Sequence, residues 1–191
     1  FNMPPNVLVF DGEARVQPVV RKGREIARIT GMSYTKERVT ENLARSFRPT
    51  LGDVYSIALL HANIGHQAGH ADYAPAPVED LMEAGFDYWA LGHVHNRAVL
   101  SASPAIVYPG NPQGRHARET GPRGCFQVDV GTKGQTRLKF IETAVVRWEQ
   151  GVPVALNGRP LDLLSMFREA NARAGAHGVG IGTHVVENRF V

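Results

Sequence analysis

Two histidines one residue apart, His93-Val94-His95, directly follow Gly92 and the apolar run Trp89-Ala90-Leu91. On an extended segment residues i and i+2 face the same way, about 6.6 Å apart at roughly 3.3 Å per residue. Two imidazoles so placed can ligate one divalent ion, or two ions about 3.5–4 Å apart. The alternative is a pair of loop histidines bonded to backbone carbonyls. A third nitrogen donor is at hand, because His61 ends a second apolar run, Tyr55-Ser56-Ile57-Ala58-Leu59-Leu60. Ligands arriving from separate strands suit a borderline divalent metal. His61, His93 and His95 are therefore the candidate metal ligands.

Six of the eight histidines lie between residues 61 and 116. His66 and His70 fall in a glycine-rich loop, where solvated histidines are the ordinary expectation. His70 is the better candidate for a substrate contact, since Gly69 precedes it and Tyr73-Ala74-Pro75 follows, which implies a shaped loop. His116, His177 and His184 read as surface residues. The loop from Tyr108 to Gly124 is the other informative stretch. Pro109-Gly110-Asn111-Pro112 forces consecutive turns, and Arg115, Arg118 and Arg123 follow. Guanidinium groups beside a divalent site suit a phosphate-bearing substrate through paired hydrogen bonds. Arg115, with glycine before it, is the candidate phosphate contact, and a solvated basic loop is the alternative for Arg118 and Arg123.

These residues need elements to hold them. Val7–Phe10 reads as a short strand closed by Asp11-Gly12, and Glu25–Tyr34 as a second. Thr35 is a plausible N-cap for a helix over 36–47, with Val39, Leu43 and Phe47 on one face and Pro49 as its stop. Strands follow at Tyr55–Leu60, Phe86–Leu91 and Ala105–Tyr108, with a helix over Val78–Ala84 closed by Gly85. Cys125–Val130 and Thr136–Ile141 form a hairpin. Strands at Val145–Glu149 and Val152–Leu156 meet at Gly151, an amphipathic helix covers Leu161–Ala174, and a strand covers Thr183–Val186. Composition shifts after Thr143, which divides the chain into 1–143 and 144–191. In open α/β sheets ligand chemistry collects beyond the carboxyl ends of strands, where His61 and His93 are expected.

The chain has 191 residues, 43% of them hydrophobic and 20% charged, with a net charge of +3. That excludes a disordered polyelectrolyte and permits a polyanionic partner. A single cysteine, Cys125, excludes an intrachain disulfide framework and a multi-cysteine zinc site, as expected of a cytoplasmic protein. No run approaches the ~20 apolar residues of a membrane span. The opening Phe1-Asn2-Met3 and the ending Asn188-Arg189-Phe190-Val191 read as a piece of a longer chain.

Four blocks carry a family resemblance: Leu59-Leu60-His61-Ala62-Asn63-Ile64-Gly65, Tyr73-Ala74-Pro75, Asp87-Tyr88-Trp89-Ala90-Leu91-Gly92-His93-Val94-His95, and Tyr108-Pro109-Gly110-Asn111-Pro112-Gln113-Gly114-Arg115. Together they resemble the calcineurin-like metallophosphoesterases, and within them the DNA-repair exonucleases of the SbcD type, their Mre11 relatives and the YhaO-type proteins. The resemblance implies an α/β (α+β) fold: over 1–143 the carboxyl-terminal half of a two-sheet sandwich flanked by helices, and over 144–191 the start of a small α/β capping region. It implies two divalent metal ions in the intact enzyme, manganese foremost, and hydrolysis of DNA phosphodiester bonds. His61 and His93 would serve one metal and His95 the other. The implied partners are DNA, an ATPase subunit of the SbcC/Rad50-like or YhaN type, and a second copy of the chain.

The family's amino-terminal ligand blocks are missing. No Asp-x-His occurs, Gly110-Asn111 is followed by Pro112 instead of histidine, and Gly52-Asp53 precedes its strand instead of following one. The expectation is an incomplete metal site and a chain that is inactive alone. Two alternatives are a non-catalytic DNA-binding or assembly module and a phosphoesterase acting on another phosphoester. A three-histidine cupin site is disfavoured, because it needs a glutamate where Val99 stands.

Overall fold

The computed structural model of the chain describes residues 7–34, 36, 38–50, 52–67, 73–112, 119, 121–143, 146–176, 185–186 and 189–190. The chain divides into two compact units, one comprising 1–120 and 124–141 and the other 121–123 and 142–191. Among the described residues no helix is long and apolar enough to cross a membrane.

The first unit is built on a six-stranded sheet. Strands β1 (Arg15–Arg21) and β2 (Arg24–Gly31) form a hairpin around Lys22-Gly23. They are followed by a 3-10 turn at Leu43–Ser46, β3 (Tyr55–His61), helix α1 (Val78–Glu83), β4 (Tyr88–Gly92), β5 (Ala98–Ala102) and β6 (Ala105–Tyr108). The spatial order is β1-β2-β3-β4-β6-β5. The four central strands run parallel, and β1 and β5 are antiparallel edges. The fold is of mixed α/β character and compatible with part of an α/β sandwich.

Alternation along the strands sorts side chains to two faces. Ala58, Leu60, Trp89, Leu91, Ile106 and Tyr108 enter one core together with Phe47, Leu81 and Phe86. Trp89 is fully buried, tilted against Phe47 at 5.4 Å, and its indole N–H donates to the Leu81 carbonyl at 3.0 Å. Tyr55, Tyr88, Ala105 and Val107 enter the other core. That face is covered by Phe126, Val128 and Leu138 of a two-stranded ribbon, β7 (Gly124–Val130) and β8 (Thr136–Glu142). The ribbon supplies a second layer, so both faces of the parallel sheet carry apolar cover, as parallel strands require.

Several expectations fail, each for a local reason. Val7–Phe10 is not a strand; Val7, Leu8 and Val9 are exposed, and the outer edge of β2 is already taken by β1. β1 itself is hidden in the sequence by Pro18, which is tolerated because the strand lies at an edge. The helix over 36–47 reduces to the 3-10 turn. Val39 and Phe47 are buried, yet the Val39 carbonyl accepts from Ala74 N–H at 2.9 Å, so tertiary pairing displaces the helical ladder. Thr35, the expected N-cap, lies outside the described residues. The edge strand β5 is too short and mixed in composition to declare itself.

The second unit contains β9 (Val146–Glu149), β10 (Val152–Leu156), β11 (Arg159–Pro160), helix α2 (Leu163–Ala176), and a small pair, β12 (Val185–Val186) and β13 (Arg189–Phe190). The strand expected at Val145–Glu149 and its neighbour at Val152–Leu156 are found as β9 and β10, and the amphipathic helix as α2. Asn157-Gly158 turns β10 into β11 with φ of 51° and 77°, the paired positive values of a two-residue hairpin. Asp162 caps α2, accepting from Ser165 N–H at 3.0 Å. Among the described residues of this unit the buried apolar side chains are Ala155, Leu156 and Met166.

Candidate metal centre

Parallel pairing of β3 with β4 decides where the histidines meet. His61, the last residue of β3, pairs in register with Gly92, the last residue of β4. His93 is the first residue beyond that strand. Its ring lies 5.2 Å from the His61 ring at 66°. A Cβ on Gly92 would stand 2.9 Å from His61 Nδ1, so glycine is what lets the two strand ends close on each other.

His93 does not continue the strand. Its φ is 94°, a backbone region that costs a non-glycine residue about 1–3 kcal/mol. The simple i, i+2 geometry of an extended His93-Val94-His95 therefore does not apply. Val94 is buried, and His95 takes its own partner, with Nδ1 2.5 Å from Glu119 Oε1. The other carboxylate oxygen, Oε2, accepts from Asn111 Nδ2 at 3.3 Å, and Asn111 N–H donates to the His95 carbonyl at 3.1 Å.

An aromatic wall backs the His61–His93 pair. Tyr34 meets His61 edge-on at 5.5 Å and Tyr73 at 4.7 Å, and Tyr73 lies 5.8 Å from the His93 ring. His61 keeps one side open to solvent. Crowding on its other side, then the nearby charges of His93 and His95, hold its pKa below the ordinary histidine value. Behind the wall, the buried Tyr108 hydroxyl donates to the Ala62 carbonyl at 2.6 Å and accepts from Ile64 N–H at 2.7 Å. It pins the loop that leaves His61.

The remaining candidates divide. His70, Arg115, His116, Arg118, His177 and His184 lie outside the described residues. His66 is a loop residue with φ of 50°. Arg123 is buried rather than solvated, and its carbonyl accepts from Thr143 N–H at 2.8 Å. Asp87 sits at the opposite, amino end of the sheet, where its carboxylate accepts from Ser56 N–H and Oγ–H at 2.7 Å. Sequence reasoning missed Tyr34, Tyr108, Asn111 and Glu119. For Glu119 a signal existed: it is the lone carboxylate in a stretch of arginines.

Among the described residues, no three His, Cys, Asp or Glu side chains are placed to hold one metal ion. Among those residues His61 and His93 offer two adjacent imidazoles with no carboxylate between them, a donor set that does not fit a complete two-metal centre.

Proteins of two kinds are among those similar to this chain. YhaO of Bacillus subtilis, described as an uncharacterized metallophosphoesterase, is 40% identical over 149 residues, covering 77% of the chain and 36% of YhaO. Residues 122–191 match the arginosuccinate synthase C-terminal domain family. The argininosuccinate synthases of Symbiobacterium thermophilum and Methanococcus maripaludis are 52% and 39% identical over 71 residues, 37% of the chain and 17% of each synthase. The chain thus spans about a third of the one relative and about a sixth of the others. The likeness to YhaO supports the metallophosphoesterase family.

Proposed function

We propose that the first unit is the histidine-bearing, carboxyl-terminal part of a metal-dependent phosphodiesterase that hydrolyses DNA, of the DNA-repair exonuclease branch. The observation that carries this reading is the His61–His93 pair, held at the carboxyl ends of adjacent parallel strands with a glycine cleared beneath it. The likeness to YhaO supports the phosphoesterase class. The four resembling blocks and the mild positive charge favour a DNA phosphate backbone as substrate. DNA and an ATPase subunit are the proposed partners, and manganese the proposed metal.

By the same reasoning the chain alone is not a nuclease. Two dications ~3.5–4 Å apart repel strongly unless a carboxylate bridges them. Among the described residues, Glu119 is engaged with His95 and Asn111, and Asp87 is at the far end of the strands. The test is complementation with a polypeptide carrying the D-x-H and G-N-H-D/E blocks. Manganese-dependent cleavage of linear duplex DNA by the mixture, abolished by His93→Ala, is expected. In that active mixture Arg115→Ala should lower the salt dependence of DNA binding by about one phosphate contact. No cleavage by the mixture would contradict the reading.

A second reading concerns 142–191. The family match over 122–191 favours a synthase-like module in place of a phosphoesterase cap. Arg147 and Arg159 are exposed there. Replacing both with glutamine should leave DNA affinity unchanged if the module is synthase-like, and should weaken it if the unit caps DNA.

A further inference from the structure

We propose that Glu119 is a positioning residue that fixes the tautomer of His95, a role that rests on the phosphoesterase reading for its purpose but not for its detection. The Glu119 side chain is only 9% exposed, and its two oxygens are committed to different partners. Asn111 Nδ2 donates to Oε2 and holds the carboxylate from one side. Oε1 faces His95 Nδ1 at 2.5 Å, which pairs this ring nitrogen with a carboxylate acceptor. A carboxylate can only accept, so the hydrogen of neutral His95 must reside on Nδ1. The lone pair is thereby assigned to Nε2.

The backbone supports this arrangement. Asn111 N–H donates to the His95 carbonyl, and a Cβ on Gly110 would stand 2.9 Å from that same oxygen. The turn carrying Asn111 is therefore fitted against the segment carrying His95. The carboxylate is a built component of the site: its sequence neighbours in the loop are basic, and both of its oxygens are oriented by residues from elsewhere in the fold.

The tautomer is read on the full 191-residue chain without metal, from long-range proton–nitrogen correlations of histidine-labelled protein at mildly alkaline pH. The expected wild-type pattern is Nδ1–H at His95. Glu119→Ala should abolish that pattern, leaving an averaged or Nε2–H ring, while the His61 signals stay in place. Glu119→Asp, which keeps an acceptor, should retain Nδ1–H. An Nε2–H ring in the wild type, or an unchanged pattern in Glu119→Ala, would overturn the proposal; the wild-type spectrum decides even if the alanine variant fails to fold. Because no metal or substrate enters the measurement, its failure is distinct from failure of the phosphoesterase reading.

Discussion

Gly92 and His61 face each other across the β3–β4 ladder, and a methyl group on Gly92 would sit 2.9 Å from His61 Nδ1. Real side chains do not approach that closely, so Gly92→Ala must displace the imidazole. The expected result is loss of the ring-to-ring nuclear Overhauser contacts between His61 and His93. The strain of overpacking should cost about 1–3 kcal/mol in chemical denaturation.

His93 pays for its place with backbone strain. At φ of 94° glycine is at ease and alanine is not. His93→Gly should therefore be more stable than His93→Ala by about 1 kcal/mol. Equal stabilities would mean that the strained backbone is not present in solution.

His61 titrates below the ordinary histidine value of about 6.5 because crowding by its neighbours disfavours the imidazolium, with His93 and His95 opposing it further. The unfolded chain then binds this proton more readily than the folded one. The contribution of the group to stability is complete above the unfolded value and is lost as pH falls through the folded value. Histidine ring shifts followed through an acid titration should place His61 below a free histidine, and His61→Gln should flatten the fall in stability over that range.

Tyr108→Phe removes one hydroxyl that serves two buried backbone groups, the Ala62 carbonyl and the Ile64 N–H. Each stranded group costs about 1–3 kcal/mol. Unfolding should show that loss, and hydrogen exchange at Ile64 should accelerate.

Much of this was legible in the residues. Tyr55–Leu60 and Ala105–Tyr108 are buried runs bounded by turn signals, and they form β3 and β6 as read. His61 and His93 could be placed at strand ends for the same reason. What escaped depends on partners distant in sequence. The 36–47 segment has helical spacing, yet Ala74 claims the Val39 carbonyl, and no local pattern records that contact. The positive φ of His93, directly after the close Gly92–His61 approach, has no local sequence signal either. Glu119 is defined by partners 8 and 24 residues away, Asn111 and His95, on its two carboxylate oxygens. The likeness of 122–191 to a synthase domain was not read from the sequence at all, because short hairpins and one amphipathic helix are common to many folds.

The lack, among the described residues, of a carboxylate placed with His61 and His93 to bridge two metals is the premise of the inactivity proposed for this chain. Its most direct test is manganese-dependent hydrolysis of linear duplex DNA by the chain alone, in a sample whose intact mass is verified as 20.9 kDa. Cleavage no greater than background is expected, with Mn2+ broadening the His61 and His93 resonances only weakly. Robust cleavage by that verified sample would contradict it, and would place a bridging ligand within these 191 residues.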